Sequence, residues 1–275
     1  MEYKTEEDFL KDYDSSKYEK LSMTSDVLLV SISSKNSSNY RKNEEKRMSI
    51  LLVKREDYPY KGKWCLPGGF LNPKRETLEE CALRVLKKET NLSSDIFLEQ
   101  LYTFDSLDRD PRLRVVSTSF VALIDKERLK EKVNKAVWFD ITSLEEENDI
   151  VTFHLSNGEE ELSFKVKKSK KQKTSNVYEY QIVGENVLAF DHECVVLSGI
   201  ERIRNKVNYT DIVFHMMPEV FTLKELQNVY EILLNKKLLD PAFRRIIKNK
   251  VEKTNQMKTG EGHRPSLMFR YKNYE

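Results

Sequence analysis

The sequence predicts an α+β protein in which a strand-rich part is followed by a helical module that ends in a small β-hairpin. Apolar and β-branched runs dominate up to about residue 190, and segments with helical spacing of apolar residues dominate after it. The charge divides at nearly the same place. Residues 1–200 hold 32 basic and 36 acidic side chains, and residues 201–275 hold 15 and 9, so a total of +2 conceals parts at −4 and +6.

Length and composition exclude several classes of protein. The 275 residues allow one large or two modest domains. Because the mean hydropathy is −0.63 and no apolar run approaches ~18 residues, we expect no membrane-spanning helix and no membrane partner. No basic start leads into an apolar stretch of about 7–15 residues, so we expect no secretory signal and a cytoplasmic location. Cys65, Cys81 and Cys194 are widely spaced and odd in number, which favours a reducing compartment over a disulfide framework or a zinc site.

The strand-rich part begins with an arm and contains one clearly delimited helix. Residues 1–23 form a polar, tyrosine-rich arm that we expect to be ordered by docking against the rest of the chain. Thr77 and Glu80 form a capping box, and apolar residues then recur at helical spacing up to Asn91, which suits the left-handed position after a helix end. The predicted strands span residues 25–33, 47–54, 96–104, 114–124, 136–139, 150–168 (a hairpin across Asn157-Gly158) and 177–183.

The C-terminal module has the pattern of a winged helix-turn-helix. Thr222 with Glu225 marks one helix start, and Asp240 as N-cap followed by Pro241 marks another. Three helices and a hairpin in about 65 residues predict a winged helix-turn-helix over residues 208–275. The predicted helices span residues 188–207 (a linking helix), 209–217, 222–234 and 240–250.

The segment after Gly68 and Gly69 resembles the Nudix box, the loop–helix–loop signature of Nudix pyrophosphohydrolases. Glu76, the seven-residue gap to Arg84, and apolar Leu86 and Leu92 match the family pattern, with one extra residue before Glu76. The flanking segments Trp64–Phe70 and Arg109–Arg112 look like the ADP-ribose branch of the family.

The resemblance covers about residues 24–145 and implies a Nudix α/β/α sandwich with a mixed sheet. We therefore expect a Nudix-like, effector-binding domain over residues 24–187, in which the strands at 150–183 are additional.

The departures from the Nudix box bear on catalysis. The family holds Mg²⁺ with three glutamates, whose positions here are Val85, Lys88 and Glu89, so Glu89 is the one remaining candidate metal ligand. Glu76, Arg84 and Glu89 are then a remnant of the catalytic box, and acids elsewhere show no spacing that rebuilds the set. We expect ligand binding that requires no cofactor, with Mg²⁺ needed only if hydrolysis remains.

A cleft without hydrolysis can still bind a nucleotide sugar. Glycines allow close backbone approach, aromatic rings stack on a base, and guanidinium groups grip a pyrophosphate. The alternatives are a core position for Trp64 and turn ion pairs for Arg109 and Arg112. The candidate ligand-binding residues are Arg55, Trp64, Gly68, Gly69, Phe70, Arg109 and Arg112.

The helix predicted at 240–250 has two faces. Phe243, Ile246 and Ile247 are expected to pack inward, which leaves basic side chains outward on a helix that fits a DNA major groove. The alternative is a solvated basic helix in a structural lid, and His263 has its own alternative as an ordinary surface residue. The candidate DNA-binding residues are Thr222, Arg244, Arg245, Lys248, Lys250, Lys258, His263 and Arg264.

With the C-terminal module, the resemblance extends over nearly the whole chain, to the Nudix-related transcriptional regulators of bacteria. It is carried by Leu188–His192, Phe221–Leu226, Phe243–Arg245 and Gly262–Pro265. It implies a homodimer that binds operator DNA and responds to an ADP-ribose-like or sugar effector. Two alternatives remain: a Mg²⁺-dependent ADP-ribose pyrophosphatase with a C-terminal accessory domain, and an oligomerisation scaffold.

Overall fold

The structure is a computed structural model that describes residues 5–35, 45–91, 96–125, 135–172, 174, 177–259 and 265–272. Leu92, His263 and Arg264 lie outside the described residues, as do the glycines at 260 and 262. No helix in the described ranges is long and apolar enough to cross a membrane.

A mixed ten-stranded sheet forms the centre of the molecule. The strand order is β10-β9-β8-β7-β2-β1-β6-β5, with β3 paired to β2 and β4 to β1. Strands β1 and β6 are parallel, and the other pairs are antiparallel, as the predicted mixed sheet requires. The strands are β1 (Ser22–Lys35), β2 (Glu45–Lys54), β3 (Trp64–Cys65), β4 (Gly68–Phe70), β5 (Phe97–Phe104), β6 (Val115–Leu123), β7 (Ala136–Glu147), β8 (Ile150–Ser156), β9 (Glu161–Lys170) and β10 (Tyr178–Val183).

Helix α2 (Leu78–Thr90) covers one face of the sheet. The Thr77 hydroxyl accepts from the Glu80 amide and the Glu80 carboxylate accepts from the Thr77 amide, so the predicted capping box is present. Asn91 ends the helix with φ of 56°, the predicted left-handed conformation. Ala82 and Leu86 pack into the same cluster as alternate residues of β1.

Helix α3 (His192–Val207) covers the opposite face, which completes the sandwich of helix, sheet and helix. Its buried residues pack with Leu28 and Val30, the residues of β1 that alternate with those facing α2. Gly199 permits the close approach, because a Cβ atom there would lie 2.3 Å from a Leu28 methyl group.

Strands β8 to β10 extend the sheet beyond the part that the Nudix resemblance covers. The predicted hairpin is present, and the Asn157 carboxamide oxygen accepts from the Glu159 and Glu160 amides at 2.8 and 2.6 Å. The Tyr180 hydroxyl donates to the Glu201 carboxylate at 2.8 Å, which ties β10 to α3. Strand β7 is longer than predicted because its second half is paired with β8 although its side chains are mostly polar.

The C-terminal module is a winged helix. Its three-stranded sheet has the order β11-β13-β12. Phe221 and Phe243 belong to the same continuous apolar core as Leu28, so the module packs onto the Nudix-like sheet. The elements are a 3₁₀ helix (Ile212–Met216), β11 (Val220–Thr222), α4 (Leu223–Leu234), α5 (Asp240–Ile247), β12 (Val251–Lys258) and β13 (Ser266–Tyr271).

Four predictions for this module were wrong in detail. The second helix, predicted over residues 209–217, is a short 3₁₀ helix. Leu239, not Asp240, is the N-cap of α5, which ends at Ile247 and not near Lys250. Ile246 is 39% exposed and does not pack inward, since Phe243 and Ile247 alone fill the narrow buried side of this short helix.

The N-terminal arm does not dock as predicted. It contains α1 (Glu6–Asp12), which is capped by the Thr5 hydroxyl accepting from the Asp8 amide. Every residue from 5 to 21 is exposed, although the rings of Phe9, Tyr13 and Tyr18 contact one another. Within the described residues, this segment therefore has its own capping hydrogen bond and ring contacts, and the sheet does not bury it.

Candidate functional site

A cleft of about 470 Å³ opens between the ends of β1 and β2, the β5–β6 loop and the start of α3. This volume is within the range of small-molecule sites. The two segments that resemble the ADP-ribose branch meet here, since Gly68, Gly69 and Phe70 line one side and Arg109 and Arg112 another. Sequence positions more than 40 residues apart thus share one site.

The floor of the cleft is a buried charge network centred on Arg109. Its guanidinium donates to the Asp191 carboxylate at 2.8 and 3.1 Å and to Asp26 Oδ2 at 3.3 Å. The Arg109 side chain is only 3% exposed. Arg109 therefore forms ion pairs, as one of the two interpretations of the sequence expects. It also lines the floor of the cleft, within reach of a ligand.

Two further polar side chains, His192 and Ser117, hold Asp26 in the floor of the cleft, and the sequence did not assign either of them to the site. His192 Nδ1 accepts from the Leu66 amide at 2.9 Å, and its Nε2 lies 3.7 Å from Asp26 Oδ2. The Ser117 hydroxyl donates to the same Asp26 oxygen at 2.5 Å. Burial alone would raise the pKa of Asp26, but His192, Arg109 and Ser117 together lower it to about 2.

Two exposed or half-buried arginines stand at the rim. Arg55 donates through Nε to the Pro59 carbonyl at 2.8 Å and stacks 4.8 Å above the Phe190 ring. It forms no ion pair with any residue that the structure describes. Arg112 pairs with Asp110 at 2.7 Å and stacks 5.2 Å from the exposed Phe70 ring. Both guanidinium groups are held in place by aromatic rings.

The two glycines are required by packing against the cleft. A Cβ atom on Gly68 would lie 2.1 Å from Asp26 Oδ1, and one on Gly69 would lie 3.0 Å from a Val85 methyl group. Trp64 is not part of the cleft lining. The Trp64 ring packs edge-on against the Phe139 ring, with 4.9 Å between the ring centroids, so Trp64 is a core residue and not a ligand contact.

Helix α2 does not fit a magnesium ion. Val85 is buried and supplies no ligand, and the Lys88 ammonium lies 3.4 Å from the Glu89 carboxylate. Arg84 engages both oxygens of Glu76 at 2.6 and 2.8 Å, and this hydrogen bonding lowers the pKa of Glu76 to about 2. Across the described residues, no group of three or more acidic, histidine or cysteine side chains can hold a metal ion.

The second surface of interest is α5 with the adjacent hairpin. Arg244, Arg245 and Lys248 are exposed. Lys250 instead pairs with Asp211 at 2.6 Å. The predicted DNA-binding side chains are therefore divided into free and paired cations.

Two other predicted contacts serve the fold of the winged helix. The Thr222 hydroxyl accepts from the Glu225 amide at 3.2 Å and caps α4. Lys258 pairs with Glu225 at 2.6 Å. Both side chains thus have partners within the module.

A Nudix-type sandwich with a cleft, joined through α3 to a winged helix, defines a two-domain class of nucleotide-linked regulators. A Nudix domain model matches residues 38–156, and the model described as NrtR DNA-binding winged helix domain matches residues 213–271. The ADPR responsive transcriptional repressor NtrR of Acinetobacter baylyi is 31% identical over 274 residues, which cover 98% of this chain and 90% of that protein.

Solved structures agree over the same length. A MutT/nudix family protein from Enterococcus faecalis matches with a TM-score of 0.69 and 26% identity, covering 98% of this chain and 94% of that one. The NrtR of Shewanella oneidensis complexed with a 27mer DNA matches with a TM-score of 0.65 and 25% identity, covering 91% and 93%. The chain belongs to the NrtR family of Nudix-related transcriptional regulators.

Proposed function

We propose that this protein represses transcription in the cytoplasm by binding operator DNA through its winged helix, and releases the DNA when ADP-ribose binds in the Nudix cleft. The observation that carries the proposal is a Nudix cleft without the carboxylates for magnesium, in one chain with a winged helix of the NrtR type. The similarity to an ADPR responsive repressor and to a DNA-bound structure supports the same assignment.

The cleft offers separate contacts for the pyrophosphate and the adenine base of ADP-ribose. Arg55 is the main pyrophosphate contact, because its guanidinium is fixed by Phe190 and Pro59 and forms no ion pair within the described chain. Phe70, which is 42% exposed and backed by Arg112, presents a ring on which the adenine base stacks. Gly68 and Gly69 give the ligand access to backbone groups.

Lys88 takes over the electrostatic role of the missing metal. It lines the cleft from α2 and lies 3.4 Å from Glu89, so an ammonium group lies beside the one glutamate that remains of the family's metal-binding set. We therefore expect binding of ADP-ribose that is independent of magnesium, and no hydrolysis, because the residues that the structure describes contain no carboxylate set to hold the metal that activates water.

The winged helix contacts DNA through the exposed cations of α5. Arg244 and Arg245 lie on α5 and Lys248 is its C-cap residue, within the module that the family model describes as DNA-binding. A homodimer places two such helices across a palindromic operator, in the manner of other dimeric helix-turn-helix proteins. Whether His263 and Arg264 add contacts from the wing stays a prediction.

A titration with three arms tests the proposed function. DNA from upstream of the protein's own gene is labelled, and its binding is followed by fluorescence anisotropy without ligand, with ADP-ribose, and with AMP as control. We expect specific binding that ADP-ribose weakens by at least tenfold, an allosteric effect of ordinary size. Release of AMP from ADP-ribose in the presence of Mg²⁺ would favour the hydrolase alternative, and failure to retain the DNA at low salt would refute the repressor assignment.

A further inference from the structure

Asp191 occupies a helix-capping position but does not cap the helix. It is the N-cap residue of α3, and at such positions an aspartate normally accepts a hydrogen bond from an amide of the first turn. Its side chain makes no such bond. Both carboxylate oxygens are instead engaged by Arg109 on the floor of the cleft, 82 residues away in the sequence. A strong local preference is thus overridden by a contact with the ligand site.

The neighbours of Asp191 are fixed, whereas Asp191 itself has two possible partners. His192 is held by the Leu66 amide, and Glu193 accepts from the Leu188 amide at 2.9 Å. Asp191 is less buried than Asp26, at 16% against 8% side-chain exposure, and Asp26 is also held by Ser117. Of the two carboxylates on Arg109, Asp191 is therefore the one that a third anion displaces.

A phosphate oxygen in the cleft is such an anion. Because Arg109 lines the cleft, a ligand phosphate that binds its guanidinium through Nη2 competes with Asp191 Oδ1, which accepts from that nitrogen at 2.8 Å. The displaced carboxylate can then accept from the Glu193 amide in the first turn of α3, where negative charge is favoured, whereas the His192 and Cys194 amides already donate to the Ala189 and Asp191 carbonyls.

Helix α3 carries this exchange to the DNA-binding module. Its 16 residues form one continuous helix of roughly 24 Å. Near its far end the Arg204 guanidinium donates to the Leu233 carbonyl of α4, and Val207 is buried in the core that includes the winged helix. One element therefore has its first turn in the ligand site and its last turn against the module that binds DNA.

We propose that Asp191 is the positioning residue that couples the cleft to the winged helix, by pairing with Arg109 when the cleft is empty and capping α3 when a phosphate occupies Arg109. The inference rests on the proposed function and specifies how the ligand regulates it. A switch of this kind needs an element with two discrete arrangements, and the two alternative partners of Asp191 supply them.

The test compares full-length wild type with D191N, D191E and the matched control E201Q, which alters a carboxylate of the same helix that lies outside the cleft and pairs with Lys168. For each protein, calorimetry gives the Kd for ADP-ribose and anisotropy gives the Kd for the upstream DNA with and without ADP-ribose. We expect D191N to bind ADP-ribose several-fold more tightly, since Arg109 is released, and to bind DNA weakly with a ligand effect near onefold. D191E and E201Q should keep the ligand effect of the wild type.

Melting temperatures separate coupling from loss of structure. D191N is expected to melt with the wild type to within a few degrees and to gain ADP-ribose affinity, which an unfolded or damaged cleft cannot do. If D191N keeps the full wild-type effect of ADP-ribose on DNA binding, or loses ADP-ribose affinity, the coupling role is wrong. Failure of the wild type itself to bind ADP-ribose or DNA would instead refute the proposed function.

Discussion

At the scale of single residues, the roles in the cleft follow from the partners that each side chain already has. Arg55 has no carboxylate partner within the described residues, so it is available to a phosphate. Arg109 has two, and both accept from Nη2, so a ligand that uses this nitrogen exchanges with one of them. The roles that we propose for the two arginines, recognition for Arg55 and transmission for Arg109, rest on this difference in partners.

The close packing of Gly68 gives a direct test of the cleft floor. In Gly68→Ala, the new methyl group would lie 2.1 Å from Asp26 Oδ1 and must push that carboxylate away from Arg109 and Ser117. We expect a loss of about 1–3 kcal/mol in unfolding free energy and at least tenfold weaker ADP-ribose binding. Chemical denaturation and calorimetry measure the two effects. Gly69→Ala is the milder control, because its methyl group would lie 3.0 Å from a Val85 methyl and 3.8 Å from Arg84 Nη1, and equal effects would contradict this account.

The depressed pKa of Asp26 predicts a specific pH dependence. Because its pKa falls from 3.8 to about 2 on folding, the ionised carboxylate stabilises the folded protein by about 2 kcal/mol near neutral pH. That stabilisation is complete above roughly pH 5 and is lost as the pH falls through 4 toward 2. We expect urea unfolding of Asp26→Asn to show a shallower loss of stability over this range than the wild type. Identical slopes would show that Asp26 is not held as its ionised form.

Residue types were predictable in this cleft, whereas partners were not. The sequence indicated Arg109 and Phe70 because both lie in segments of recognisable pattern. Asp191 and His192 belong to a segment that carries the family resemblance, but the sequence did not assign them to the cleft, since their partners are brought close only by the packing of α3 on the sheet. Trp64 looked like a stacking residue, but its alternating position in β3 directs it into the core against Phe139.

At the scale of elements, local signals predicted structure well where they were strong. The capping boxes at Thr77 and Thr222 place the starts of α2 and α4 correctly. Elements set by tertiary pairing were less predictable, since the polar second half of β7 is a strand only because β8 pairs with it. In α5, helical spacing suggested that Ile246 is buried, but an eight-residue helix has room for few inward positions.

Helix α2 predicts the metal dependence of binding. In Lys88→Glu, a cation that lines the cleft becomes an anion beside Glu89, so we expect ADP-ribose binding to weaken at least tenfold without metal. Added Mg²⁺ should restore part of the affinity in this variant and leave the wild type unchanged, as calorimetry with EDTA or Mg²⁺ can show. Lys87→Glu is the control, because Lys87 is on the same turn but outside the cleft. A wild type that needs Mg²⁺ to bind would contradict the role of Lys88.

Helix α5 predicts the salt dependence of DNA binding. Lys248 is exposed, whereas Lys250 is tied to Asp211 at 2.6 Å. We expect Lys248→Ala to reduce the slope of log K against log[salt] by about one, and Lys250→Ala to leave the slope nearly unchanged. Arg244→Ala should cost ~1–3 kcal/mol if its guanidinium reads a guanine. Equal slopes for the two lysine variants would place the DNA on another surface.

At the scale of the whole molecule, the charge is divided between two parts of the chain, whereas the apolar core is shared by both. The acidic part holds the cleft and the basic part holds the winged helix, so the cleft and the winged helix lie at opposite ends of α3. Because Phe221 and Phe243 lie in the same core as Leu28, the two parts form a continuous packed structure that transmits strain. The sequence predicted the division into two parts, but it carried no sign of the continuous core between them.

The central claim is that ADP-ribose and DNA oppose one another through this single chain. Linkage requires that the factor by which ADP-ribose weakens DNA binding equals the factor by which DNA weakens ADP-ribose binding. Both factors can be measured on the wild-type protein, by anisotropy with and without ADP-ribose and by calorimetry with and without the upstream DNA. We predict equal factors of at least tenfold, and independent binding, with both factors near one, would contradict the account.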